Sequence, residues 1–292
     1  MIYTIKNNYL NVEISSNGAE IKKIVYNNID YLHNSDPKYW GRSAPLLWPN
    51  IGTIKNDKAM INGTEYPMKK HGFLRDTECE LYLQKEDSIT FKASANDKTL
   101  KLYPFNFTIL ITYKLVENKI ISTLKFTNYS KEAMPFNLGL HPAFKVPLYE
   151  DEKFEDYQII FGKTGTYEMP VVNLNDGTID FMQRNKSFVN MDTLPLNYPD
   201  YDNDALIFEN INTKVVTLKH KNKNQGVIFD FEDFPMLGIW TPFNTKAPFI
   251  CLEPWIGCAD TPTTDGDFTK KRDLIWLEQN QSKEIKYELT FF

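Results

Sequence analysis

Three side chains carry the chemistry most legible in this sequence. They are His71 within His71-Gly72-Phe73-Leu74-Arg75-Asp76, His141 within Gly139-Leu140-His141-Pro142-Ala143-Phe144, and Glu253 within Cys251-Leu252-Glu253-Pro254-Trp255. A carboxylate and two imidazoles can pass protons near neutral pH, so the set predicts acid/base work on a small polar substrate. The chain has only four histidines, and two of them stand in aromatic frames marked by Gly or Pro. His33 and His220 lack such frames and read as packing or surface residues.

Strands must position these groups, because period-two alternation dominates the chain. Phe107, Ile109, Ile111, Tyr113 and Leu115 share one face, and so do Ile285, Tyr287, Leu289 and Phe291. Both patterns predict half-buried antiparallel strands. Asn62-Gly63, between Lys58-Ala59-Met60-Ile61 and Thr64-Glu65-Tyr66, predicts a tight hairpin, and Glu117-Asn118 plays the same part before Lys119 to Asn128. Further strands are predicted at 9–14, 90–93, 157–161, 205–208, 215–220, 226–231, 236–241 and 249–252. No helical stripe of ten or more residues competes with them. The expectation is an all-β fold of mainly antiparallel sheets, two of them large and packed face to face. One domain is expected over residues 1–292, with Glu150 to Asp204 as an irregular rim excursion.

Composition narrows the function. Hydrophobic residues make up 42% and aromatics 14% of 292 residues, which excludes intrinsic disorder. A net charge of −5 speaks against a general nucleic-acid surface. No apolar run reaches transmembrane length, and residues 1–14 alternate instead of forming a signal-peptide core, so a cytoplasmic protein without a membrane partner is expected. Cys79, Cys251 and Cys258 leave at least one thiol unpaired and read as buried small hydrophobes. The seven-residue step from Cys251 to Cys258 is not a usual zinc spacing, and no metal or other cofactor is expected. Monomer and homodimer are equally compatible with the sequence.

The frames, in this order, resemble the aldose 1-epimerase (galactose mutarotase) family, and within it the LacX-like branch. The resemblance spans nearly the whole chain: Ser43-Ala44-Pro45-Leu46-Leu47-Trp48-Pro49, His71-Gly72-Phe73, Gly139-Leu140-His141-Pro142, Asp204-Ala205-Leu206-Ile207-Phe208 and Glu253-Pro254-Trp255-Ile256-Gly257. It implies the galactose-mutarotase-like β-supersandwich and interconversion of the α and β anomers of a free hexose such as galactose or glucose. Mutarotation removes the proton of the anomeric hydroxyl, protonates the ring oxygen, and recloses on the other face of the carbonyl. The resemblance assigns Glu253 as the base at O1, His141 as the acid at O5 and His71 as a second donor. An ionised Glu253 beside His141 is expected to raise the histidine's pKa.

For substrate binding the resemblance implies Asp204, with Arg75, Phe73, Trp48 and Lys55 as further candidates; Phe144 and Trp255 could also offer a flat face to a pyranose. Family members commonly carry an arginine after the Pro-x-x-Gly turn, whereas here Pro49-Asn50-Ile51-Gly52 is followed by Thr53, so Lys55 or Arg42 is expected to substitute. Two other readings sit on the same fold. A hexose-6-phosphate epimerase needs clustered cations, and a non-catalytic sugar-binding protein has no need of an acid and a base together. A two-histidine, one-carboxylate iron site is a third arrangement the residue types permit.

Overall fold

The computed structural model describes residues 1–242 and 244–292, and its sheets are antiparallel throughout. The larger sheet has nine strands. In spatial order they are Ile179–Pro195, Tyr157–Val172, Val215–His220, Gly226–Asp230, Ser282–Phe291, Lys119–Asn128, Phe107–Val116, Ser88–Ser94 and Glu80–Gln84. A six-stranded sheet is ordered Leu206–Phe208, Met236–Trp240, Phe249–Ile256, Leu138–Leu140 and Leu46–Leu47, with Ala143–Lys145 also paired to Phe249–Ile256. A four-stranded sheet covers the first thirty residues, and two ribbons of two strands complete the structure. Among the described residues no helix is long and apolar enough to cross a membrane.

Alternation explains how the sheets meet. Along Phe107–Val116 buried and less buried residues alternate almost without exception, and the same holds along Lys119–Asn128. Their buried faces join Leu138, Leu140, Leu237, Ile239, Ile250 and Leu252 of the six-stranded sheet in one core. The Asn62-Gly63 hairpin has both central residues at positive φ, as its turn chemistry requires.

The stretch from Glu150 to Asp204 corrects the expectation of an irregular excursion. It forms the longest hairpin of the fold, Tyr157–Val172 against Ile179–Pro195. The sequence hides it because the register shifts at several points between Ile160 and Val171, and much of it is exposed on both faces. Bulges break the two-residue period on which strand recognition depends.

On the six-stranded sheet, the faces opposite the core define the site. Ile250 and Leu252 point into the core, whereas Cys251, Glu253 and Trp255 lie on the other face of the same strand. The register places Gly238 opposite Glu253 and Ile207 opposite Gly238, so Glu253 and Ile207 share a face two strand spacings apart, about 9–10 Å. Gly238 keeps the span between them open, since a Cβ there would approach the Trp255 ring to 2.7 Å.

The loop carrying His71 is pinned from beneath. The Trp48 carbonyl accepts from the N–H groups of Phe73 and Leu74 at 3.0 and 3.2 Å. Gly72 sits at φ +67°, and a Cβ on it would lie 2.2 Å from that carbonyl oxygen. Gly72→Ala should therefore lower stability by about 2–4 kcal/mol, from positive-φ strain plus the clash. Urea denaturation checks this, and an unchanged midpoint would contradict it.

Candidate active site

A cavity of about 340 Å³ opens on the outer face of the six-stranded sheet, within the usual range for small-molecule sites. His71, His141, Glu253, Asp204 and Arg75 all line it, although they are scattered over 183 positions of sequence. Trp48, Phe73 and Lys55 do not. Trp48 is 0% exposed, at the centre of an aromatic cluster with Phe73, Tyr103 and Phe107. Phe73 packs on the same core, so the expected sugar-facing role of both rings gives way to packing. The Lys55 amine donates to the Pro262 carbonyl at 3.0 Å, away from the cavity. Arg42, the other expected substitute for an arginine at Thr53, donates to Asp76 at 2.6 Å and to the Arg75 carbonyl at 3.1 Å. It braces the 71–76 turn from outside. Phe144 belongs to the core, whereas Trp255 does line the cavity.

The centre is a carboxylate and an imidazole in contact. His141 Nε2 lies 3.3 Å from Glu253 Oε2, and the two residues are 6% and 3% exposed. Burial pushes His141 down to about 3, and burial with the nearby Asp204 charge pushes Glu253 well above the ordinary carboxylate range. Both shifts oppose the expectation that Glu253 raises its neighbour. Desolvation of two groups buried side by side outweighs their mutual attraction, and the pair is driven towards its uncharged form. One proton is then shared by two sites.

The indole of Trp40 stacks on the His141 ring at 4.6 Å between centroids, and Trp240 meets it edge-on at 5.6 Å. Trp40 is itself held from behind, because His33 Nε2 donates to its carbonyl at 2.8 Å. His33 thus acts through packing. His220 does so as well, its Nδ1 accepting from the N–H groups of Asn222 and Lys223.

His71 is clamped reciprocally to Gly52. Its backbone N–H donates to the Gly52 carbonyl at 2.9 Å, and Gly52 N–H donates to His71 Nδ1 at 3.0 Å. An Nδ1 that accepts leaves the proton of the neutral ring on Nε2, which makes that atom a donor. Burial, helped by His141, Lys70, Arg75 and Arg42, holds the ring well below its ordinary pKa. His71 is therefore a neutral hydrogen-bond donor and not a source of a whole proton at neutral pH. Its own φ is +68° and that of Asp204 is +73°, so two cavity residues occupy the left-handed region that tertiary contacts must enforce. One Asp204 oxygen accepts from the Ala205 N–H at 2.7 Å.

Sequence reasoning missed Lys70, Trp40, Trp240 and the hairpin tip at Val172, Gly177 and Ile179, all of which line the cavity. From sequence the Lys69-Lys70 pair reads as a solvated loop, whereas Lys70 lines the cavity beside His71; the tip gave no signal, since it reaches the site only through the long hairpin. Among possible metal donors, His141, Cys251 and Glu253 keep their ligand atoms within 4.8 Å of one another. Burial raises the Cys251 thiol well above its usual value, so it stays protonated and a weak ligand.

Antiparallel sheets in this arrangement are the fold of galactose mutarotase-like proteins. A galactose mutarotase related enzyme from Lactobacillus acidophilus superposes with a TM-score of 0.94 at 30% identity, covering 100% of this chain and 97% of that one. A galactose mutarotase-like protein from Lactobacillus casei gives 0.90 at 29% identity, with full coverage of both chains, 100% each. The family described as aldose 1-epimerase matches residues 1–283. Protein LacX of Lactococcus lactis subsp. lactis is 34% identical over 299 aligned positions, covering 99% of each chain. The chain belongs to the aldose 1-epimerase family.

The clamp on His71 gives a direct expectation. Nitrogen-15 NMR of the imidazoles should find His71 as the neutral Nε2–H tautomer throughout pH 5–8, without the titration of a free histidine near about 6.5. A His71 that titrates in that range, or that carries its proton on Nδ1, would contradict the geometry.

Proposed function

We propose that the protein is an aldose 1-epimerase that interconverts the α and β anomers of a free hexose such as galactose or glucose. The observation that carries the reading is the buried contact between His141 and Glu253 at the wall of a sugar-sized cavity. Family membership supports epimerase chemistry on a sugar.

The shared proton gives the mechanism its economy. With the pair as Glu253 carboxylate and His141 imidazolium, Glu253 takes the proton from the O1 hydroxyl while His141 delivers its proton to O5. The C1–O5 bond breaks, C1–O1 becomes a carbonyl, and the pair is left as carboxylic acid and neutral imidazole. After rotation about the C1–C2 bond, His141 recovers the O5 proton, O5 attacks the other face of C1, and Glu253 returns a proton to O1. Each ring opening switches the pair between its two tautomers, and its total proton count never changes. Burial favours the uncharged tautomer, the one paired with the open-chain sugar. The His71 Nε2–H is suited to donate to O5, and Asp204 to accept from hydroxyls remote from C1. A fixed donor aimed where charge develops lowers the barrier without itself transferring a proton.

A sugar phosphate is the second reading, favoured by one observation. Lys70 and Arg75 both line the cavity, which gives it two cations where the sequence suggested none clustered. Anomer exchange on glucose 6-phosphate against glucose separates the two.

Proton NMR with saturation transfer between the anomeric signals should show galactose and glucose exchanging faster with the protein than in buffer, with or without EDTA. The pH dependence follows from the pair. A second proton must go to His141, whose affinity is depressed, so the acidic limb lies well below 6.5; loss of the shared proton is governed by Glu253, whose pKa is raised, so the basic limb lies above the ordinary carboxylate range. kcat/KM should therefore keep its acidic limb clear of the histidine range, with its basic limb displaced upward from that of an ordinary carboxylate. An acidic limb near about 6.5 would mean that a histidine titrates independently of Glu253.

A further inference from the structure

We propose that the preferred substrate is a 6-deoxyhexose, whose methyl group seats on an apolar wall closing one end of the cavity. The proposal rests on the mutarotation reading and deepens it. Ile51, Val172, Ile179, Ile207, Trp255 and Ala259 form this wall. They are not an edge of the main core. They are the cavity-lining members of a separate hydrophobic cluster that also holds Leu47, Met236 and Cys258. About a third of the cavity residues therefore form one apolar wall; Lys70 and Arg75 lie on another segment, whereas Glu253 shares its strand with Trp255 and Asp204 precedes the strand of Ile207.

The orientation of the sugar follows from the acid/base pair. A pyranose with O1 at Glu253 and O5 towards His141 and His71 carries C5, and C6 with it, past O5 on the His71 side. The segment next to His71 is Ile51-Gly52, because the ring and backbone of His71 are both hydrogen-bonded to Gly52. Ala259 closes against it so tightly that a Cβ on Gly52 would lie 2.5 Å from the Ala259 Cβ. Beyond Gly52, Gly177 at the hairpin tip covers the Thr53 hydroxyl, which would stand 2.4 Å from a Cβ built on that glycine. The Lys55 amine is turned away to Pro262. The substituent on C5 thus meets the Ile51–Ile179–Ala259 surface, whose side chains carry only carbon; the one polar side-chain atom of the wall is the buried, unpartnered indole nitrogen of Trp255.

A hydroxymethyl group pressed there gives up its bonds to water without replacement, and a phosphate gives up more. A methyl group gains contact. Apolar pockets distinguish ligands that differ by one such group by about 10–200-fold.

The test is kcat/KM for anomer exchange on the wild-type protein with galactose, 6-deoxygalactose, glucose, 6-deoxyglucose and galactose 6-phosphate. Each 6-deoxy sugar should exceed its parent by at least about ten-fold, and the phosphate should be slowest. In Ile179→Thr and Val172→Thr, the ratio of deoxy sugar to parent should fall towards one. Parent hexoses turned over as fast as their 6-deoxy forms, or a phosphate turned over fastest, would overturn the proposal. If no sugar exchanges faster than in buffer, the epimerase reading fails, and calorimetric titration then judges the wall on its own. Binding of 6-deoxygalactose at least about ten-fold tighter than galactose would uphold the methyl subsite, and equal affinities would overturn it.

Discussion

Two ionisable groups, Glu253 and His141, are buried against each other at 3.3 Å, and that burial favours the uncharged form of each. Much of the surrounding structure serves this contact. A carboxylate alone in such a place would simply hold its proton, and an imidazole alone would simply lose one. In the proposed mechanism the two together keep a single proton that can sit on either partner. Mutarotation needs the same thing, since its two half-reactions require base and acid roles to be exchanged between the same two groups.

The fold secures the contact through regularity at the centre and irregularity at the rim. The strand Phe249–Ile256 sends alternate residues to opposite faces, so the sequence that fixes Ile250 and Leu252 in the core also fixes Glu253 towards the cavity. Gly238 and Gly139 on the neighbouring strands leave room for the Trp255 ring beside it. His71, by contrast, depends on a loop held at positive φ and clamped to Gly52. Its orientation is supported by the backbone hydrogen bonds of Trp48, a residue whose side chain never reaches the cavity. Trp40 is arranged in the same indirect way, through His33.

How much of this was legible in the sequence depends on whether local chemistry or distant contact decides a residue's place. Strands with unbroken alternation, such as Phe107–Val116, were readable, as was the Asn62-Gly63 hairpin, because the deciding information lies within a few residues. The candidate residues His71, His141 and Glu253, which do meet at one cavity, were readable from their frames. The hairpin from Tyr157 to Pro195 was not, since its bulges erase the period and its exposure removes the apolar signal. The aromatic candidates divided for a similar reason. Trp48 and Trp255 look alike in sequence, and only the packing of remote strands sends one into the core and the other to the cavity wall. The direction of the pKa shifts was also out of reach, because it depends on how deeply the pair is buried and not on which residues form it.

The central claim, that one proton is shared by Glu253 and His141 and that neither acts without the other, is tested most directly by a double-mutant cycle. Glu253→Gln, His141→Asn and the double variant would be compared with the wild type by anomer exchange, with sugar binding measured on the same samples. Each single variant should lose roughly two to four orders of magnitude in kcat while still binding sugar, and the double variant should lose little more than the worse single one. Losses that multiply, or near-normal exchange in Glu253→Gln, would contradict the account.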